Sequence, residues 1–127
     1  MDEVEKIKKE KVKEFMEKSR YPEKPLNVSD NNFKDYVSRY PIAVVDVYAD
    51  WCMPCKAIAP IIDSLAKKYR GKAVFLKLNV DENPITATEF GVMSIPTLLV
   101  FKDGKLVDRL IGALPANVIE DRIKKFI

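Results

Sequence analysis

Cys52 and Cys55 are the only cysteines in the chain, and they stand three apart in Trp51-Cys52-Met53-Pro54-Cys55-Lys56. An apolar run over residues 42–49 precedes them and a stretch of helical periodicity follows, so the pair sits where a buried strand hands over to a helix. A helix N-terminus carries unpaired backbone N–H groups and a positive partial charge, both of which favour a thiolate over a thiol. Cys52, at the open helix end, is expected to be the exposed nucleophile. Cys55, one turn further in on nearly the same face, is placed to attack a mixed disulfide on Cys52. One spacing thus supplies an attacking and a resolving thiol. Two other readings stay open on these residues. Two copies could share four thiolates around zinc or an iron–sulfur cluster, since one chain offers two cysteines and no histidine. The sulfurs could also be inert and structural, which their place at a strand–helix junction disfavours.

Asp46 is the second residue whose position asks for chemistry. It lies inside Val44-Val45-Asp46-Val47-Tyr48, where its neighbours predict burial. A carboxyl in such surroundings should have its pKa raised and could hold or pass a proton near neutral pH. Six residues before Cys52 and at the same end of the strand, it could take the Cys55 proton as a mixed disulfide resolves. A carboxylate satisfied by hydrogen bonds, with no catalytic part, fits the spacing equally well.

Composition bounds the rest. The chain has 127 residues, 22 Lys and Arg against 19 Asp and Glu, a net charge of +3 and no histidine. That length suits one compact domain. Acids and bases alternate, which leaves no electrostatic footprint for nucleic acid. No apolar run approaches the ~20 residues of a membrane span, so no membrane partner is expected. Without histidine there is no Ser-His or Cys-His nucleophile. The first fifteen residues lack the apolar core and cleavage site of a signal peptide, so a reducing cytoplasm is the expected compartment.

The elements that position these residues can be read in order. Residues 1–25 hold eight bases and seven acids, with a narrow apolar stripe of Val4, Ile7, Val12, Phe15 and Met16. Acid-before-base pairs four apart predict a helix. It is expected to lie solvated on the domain surface, with docking to a partner or a membrane surface as the sharper alternative. Residues 21–25, with two prolines, form a stiff linker. From residue 26 strand and helix signals alternate. A short strand covers 26–28, Ser29 is expected to cap a helix running to about Arg39, and a strand buried on both faces covers 42–49. A helix from Cys52 to Tyr69 is kinked at Pro60 and stopped by Gly71. A strand over 73–80 precedes a short helix with Asn83 as its cap and Pro84 at its first position. Strands over 97–102 and 105–111 join through Asp103-Gly104, a two-residue hairpin signal, and Pro115 opens a last amphipathic helix. The order predicts an α/β fold, a mixed central sheet flanked by helices on both faces.

Residues 45–56, Val-Asp-Val-Tyr-Ala-Asp-Trp-Cys-Met-Pro-Cys-Lys, resemble the active-site segment of the thioredoxin family. Residues 77–84 (Lys-Leu-Asn-Val-Asp-Glu-Asn-Pro), 94–97 (Ser-Ile-Pro-Thr) and 111–113 (Ile-Gly-Ala) resemble its later segments in the same order. The resemblance covers about residues 26–127, a thioredoxin domain, and leaves the charged segment 1–25 without a counterpart. It implies a thioredoxin-like fold and the reduction of protein disulfides, with Cys52 attacking, Cys55 resolving and Asp46 accepting the proton. Lys77 would be the cation modulating Asp46; on periodicity alone it is a lysine at the sheet edge. Pro96 would be a cis-proline facing the cysteines, where Ile95-Pro96 otherwise reads as a strand start. Trp51, Met53, Pro54, Ile95, Pro96, Gly112 and Ala113 would line or shape the substrate groove. Met53 stands where the family most often has glycine, which bears on redox potential and partner fit. Tyr48 replaces the first of two tryptophans.

No nucleotide-binding glycine motif is present, so no cofactor is expected, and reducing power would come from a separate reductase of the thioredoxin reductase type. A monomer is expected. A disulfide isomerase or oxidant is the near alternative within the same chemistry.

Overall fold

The computed structural model of the protein describes residues 2–127. Five strands form one sheet in the order β1-β3-β2-β4-β5. They are β1 (Leu26–Asn27), β2 (Ile42–Tyr48), β3 (Val74–Asn79), β4 (Thr97–Lys102) and β5 (Lys105–Ile111). β1 and β2 both pair with β3 in parallel, while β4 runs antiparallel to β2 and β5 antiparallel to β4. The mixed sheet expected from the alternation of signals is therefore present. Asp103 (φ 51°) and Gly104 (φ 79°) are both left-handed, as a two-residue turn joining β4 to β5 requires.

Alternation along β2 divides the core. Ile42 and Val44 face α3 (Met53–Lys68) and α5 (Ala116–Lys124), where Ile58, Ile62, Leu65, Ile119 and Ile123 are buried. Ala43, Val45 and Val47 face the other side, toward Phe33 and Val37 of α2 (Phe33–Arg39). Each fully buried aliphatic or aromatic side chain contributes roughly 1.5–3 kcal/mol, so the strand's two apolar faces are what hold helices on both sides. Phe33, Phe90 and Phe101 form a triad with ring centroids 5.3–5.5 Å apart, tying α2 and β4 to Phe90, the residue that ends α4 (Pro84–Glu89).

Three expectations are corrected. The helix expected from Ser29 begins at Phe33. The Ser29 carbonyl accepts from the Asn32 N–H (3.2 Å) and the Phe33 N–H (2.9 Å), and the Asn32 side chain accepts the Ser29 N–H (2.7 Å), so residues 30–32 close a turn. The Asn32 backbone (φ −115°, ψ 0°) departs from helical values and the regular helix starts after it. Asn83 occupies the N-cap position of α4 but makes no capping bond; its amide instead accepts from the Asp30 N–H (2.9 Å) and donates to the Asn79 carbonyl (3.1 Å). Lys77 is not at the sheet edge, because β3 lies between β1 and β2.

The N-terminal helix, α1 (Glu3–Ser19), is capped by the Asp2 carboxylate, which accepts from the Glu5 N–H (2.9 Å). None of its residues is buried, so it does not lie on the domain as expected. Its apolar stripe, interrupted by Lys8 and Lys11, is exposed at Val4, Ile7, Val12, Phe15 and Met16. Its C-terminal end meets the domain at Gly71, where an added Cβ would stand 3.2 Å from the Lys18 Cα. The linker is anchored by Tyr21, whose ring packs on Tyr40 (5.0 Å) and whose carbonyl accepts from Arg70 (2.9 Å). No helix among the described residues is long and apolar enough to cross a membrane.

Candidate active site

β2 delivers the chain to the end of the sheet, and residues 49–52 turn it into α3, with the Cys52 N–H donating to the Ala49 carbonyl (3.2 Å). Cys52 is the N-cap of α3 and its sulfur accepts from the Cys55 N–H (3.2 Å). The helix end therefore points a backbone donor and its positive pole at this sulfur, an arrangement that stabilises sulfur carrying negative charge. Pro54 sits in the first turn, where its missing N–H costs nothing, and α3 continues unbroken through Pro60. Cys52 and Cys55 are joined as a disulfide, with Cα atoms 5.2 Å apart. The expectation of an exposed Cys52 is corrected. Cys52 is only 4 % exposed and Cys55 3 %, because the bonded sulfurs are packed with Ala49, Tyr48, Val80 and Ile95.

The two cysteines open onto different spaces. Cys52 lies on an apolar groove of about 790 Å³, and Cys55 on a smaller cavity of about 270 Å³ together with Asp46, Lys56 and Lys77. The groove walls are Trp51, Met53 and Pro54 on one side and Ile95 with Val92, Met93 and Ser94 on the other, over Val80 and the Pro84, Ala87 and Thr88 side of α4. None of the described residues lining it is charged. Trp51 is exposed but fixed, its indole N–H donating to Asp81 (2.9 Å), rather than serving as a buried packing residue.

Of the groove residues expected from the sequence, Trp51, Met53, Pro54 and Ile95 come together at the groove, while Pro96, Gly112 and Ala113 are not among its lining. The Ile95–Pro96 bond is cis, and the Pro96 carbonyl accepts from the Gly112 N–H (2.9 Å), which ties Gly112 to the residue next to Ile95. Met93, Val92 and the α4 residues escaped sequence reasoning. An apolar side chain just before Ser94-Ile95-Pro96 is their one sequence signal, and Met93 is 98 % exposed, as few large apolar side chains are.

Asp46 is 1 % exposed, and its Oδ1 has no hydrogen-bond partner among the described residues. Burial pushes its carboxyl up from 3.8 to about 6, opposed by the Lys77 ammonium and aided by the Asp63 carboxylate. Lys77 stands directly opposite Asp46 in the β2–β3 register. Its ammonium lies 4.5 Å from the centre of the Tyr48 ring, a cation–π contact that holds a half-buried lysine beside the cavity. A carboxyl of this kind changes protonation near neutral pH in the space that Cys55 faces. Among the described residues no group of three or more His, Cys, Asp or Glu side chains is arranged to hold a metal ion.

Comparison with known proteins agrees with this geometry. The family model described as Thioredoxin matches residues 24–125. The thioredoxin of Staphylococcus saprophyticus is 50 % identical over 102 residues, which span 80 % of this chain and 97 % of that protein. Thioredoxin 2 of Chlorobaculum tepidum is 46 % identical over 105 residues, 82 % of this chain and 96 % of the other. A solved structure, that of a point mutant of the thioredoxin from Halobacterium salinarum, superposes with a TM-score of 0.78 at 34 % identity, covering 84 % of this chain and 93 % of its own. With a Cys-x-x-Cys disulfide at the head of α3 and a matched domain spanning most of its length, this chain belongs to the thioredoxin family of protein thiol–disulfide oxidoreductases.

Proposed function

We propose that the protein reduces disulfides in protein substrates, with Cys52 as nucleophile and Cys55 as the resolving thiol. The observation that carries this is the division of the two cysteines, Cys52 on the apolar groove and Cys55 on the Asp46 cavity. In the dithiol form, the Cys52 thiolate attacks one sulfur of a substrate disulfide held in the groove. A mixed disulfide forms and the first substrate thiolate leaves. Cys55 then gives its proton to the Asp46 carboxylate and attacks the Cys52 sulfur, displacing the second substrate thiolate. The substrate gains two electrons and the protein is left with the Cys52–Cys55 disulfide, the state seen in the structure.

Asp46 is a proton acceptor on this reading, and Lys77 tunes its charge across the β2–β3 register. Trp51, Met53, Pro54 and Ile95 receive the substrate chain, with Pro96, Gly112 and Ala113 as the further groove residues of this reading. Residues 26–127 form the working thioredoxin domain, and residues 1–25 are an appended helix and linker. A separate reductase protein returns the electrons, and the protein works as a monomer in the cytoplasm. Equilibration with defined thiol buffers at pH 7 tests the direction of transfer. A Cys52–Cys55 potential below about −230 mV supports a reductase, and one above roughly −180 mV assigns the pair to oxidation or isomerisation.

A further inference from the structure

α4 is six residues long, too short to persist by itself, and it carries one wall of the groove through Pro84, Ala87 and Thr88. The chain leaving it supplies Val92 and Met93 of the same wall. Charged side chains from distant elements hold both its ends. Asp30, in the loop between β1 and α2, accepts from the Thr86 N–H (2.8 Å) and the Ile85 N–H (3.2 Å) at the N-terminus. Arg109, on β5, donates to the carbonyls of Phe90 and Gly91 (3.3 Å to Gly91) at the C-terminus.

The signs are those a helix favours, acid at the positive end and base at the negative end. Both clamping residues are themselves held. Asn83 accepts the Asp30 N–H (2.9 Å). Arg122 donates to the Arg109 carbonyl (3.4 Å) while forming a two-pronged pair with Asp108 (2.6 and 2.8 Å). Neither Asp30 nor Arg109 lines the groove.

We propose that Asp30 and Arg109 are positioning residues for the groove: they fix α4 and residues 91–95 at the distance from Trp51 and Met53 that a substrate chain requires, and so set affinity for protein disulfides. This deepens the substrate reading above and rests on it. A small disulfide reaches Cys52 without engaging the far wall, so its reduction does not depend on the clamp. Phe90 packs against Phe33 and Phe101 independently of the Arg109 bonds, so loss of Arg109 is expected to loosen the wall and leave the domain folded.

The test compares Arg109→Gln, Arg109→Lys, Asp30→Ala and Asp30→Asn with the unmodified full chain on a disulfide-bonded protein and on a small aromatic disulfide. Arg109→Gln and Asp30→Ala are expected to raise KM for the protein about fivefold, the size of a lost charge at a helix end. The kcat, the small-disulfide rate and the reduction potential stay unchanged, while amide exchange quickens over residues 84–95. Arg109→Lys recovers most of the KM because it keeps the charge, and Asp30→Asn, which folds even if Asp30→Ala does not, gives an intermediate value. Unchanged KM in all four variants, or parallel loss on both disulfides, overturns the inference while the reductase reading stands. An unmodified chain inactive on protein disulfides overturns both.

Discussion

Cys52 and Cys55 share a disulfide yet face different surroundings, Cys52 an uncharged groove and Cys55 a cavity that also holds Asp46 and Lys77. The division follows from their places on α3. The N-cap residue is directed to the open helix end, and the residue three further on is turned back toward the sheet beneath. On the proposed mechanism, substrate is met on one side and the proton is handled on the other.

The pH dependence of the second chemical step tests the Asp46 side. With the carboxyl titrating at about 6, resolution of a mixed disulfide on Cys52 should be fast above pH 6 and slow below it. Asp46→Asn should slow that step roughly a hundredfold at pH 7, the lower end of what a positioned base contributes, and abolish the inflection near pH 6. Because the Lys77 ammonium lowers the Asp46 value, Lys77→Met should move the inflection to higher pH. Rapid-mixing kinetics of mixed-disulfide decay across pH 5–8 checks all three.

Stability should move in the opposite direction to activity. The folded carboxyl titrates at about 6 and the unfolded one near 3.8, so the unfolded chain releases its proton first. Folding therefore loses stability as pH rises from about 4 through 6, and the loss is complete above that window. A rise of that size corresponds to roughly 3 kcal/mol. Asp46→Asn should then be more stable than the unmodified chain by up to about 3 kcal/mol at pH 8 and equal to it at pH 3, as urea unfolding at both pH values would show.

Met93, 98 % exposed on the groove rim, separates binding from folding. Met93→Lys should leave stability within about 0.5 kcal/mol. It should raise KM for a protein disulfide several-fold by placing a charge where the lining has none. Parallel calorimetry and steady-state kinetics distinguish the two effects.

Because α1 buries none of its residues, removing residues 2–19 should change the unfolding free energy by no more than about 0.5 kcal/mol and leave disulfide reduction within twofold. Retaining Tyr21 matters in this variant, since its ring packs on Tyr40 and its carbonyl is held by Arg70. A large loss would mean that α1 is part of the working domain.

Most of what positions the site is local enough to read in the chain. The doubly apolar strand before Cys52, the Asp103-Gly104 turn and the buried Asp46 each follow from a few adjacent residues. What escaped depends on which of several competing partners a polar group takes, or on segments that meet only in the folded chain. Nothing near Asn83 signals that Asp30, 53 residues earlier, takes over the cap of α4. The Asn32 backbone (φ −115°, ψ 0°) closes a turn on the Ser29 carbonyl, so the helix that Ser29 was expected to open starts at Phe33. The far wall of the groove forms when β3, α4 and the segment before Pro96 converge, so Met93 reads in sequence as one more apolar residue.

Trapping the intermediate tests the division of labour between the sulfurs most directly. Incubated with a disulfide-bonded protein and analysed by non-reducing mass spectrometry, reduced Cys55→Ser should accumulate a stable adduct linked at Cys52, and Cys52→Ser should give none. An adduct carried by Cys55 in the Cys52→Ser chain, or no adduct in either, would contradict the assignment of Cys52 as nucleophile and Cys55 as resolving thiol.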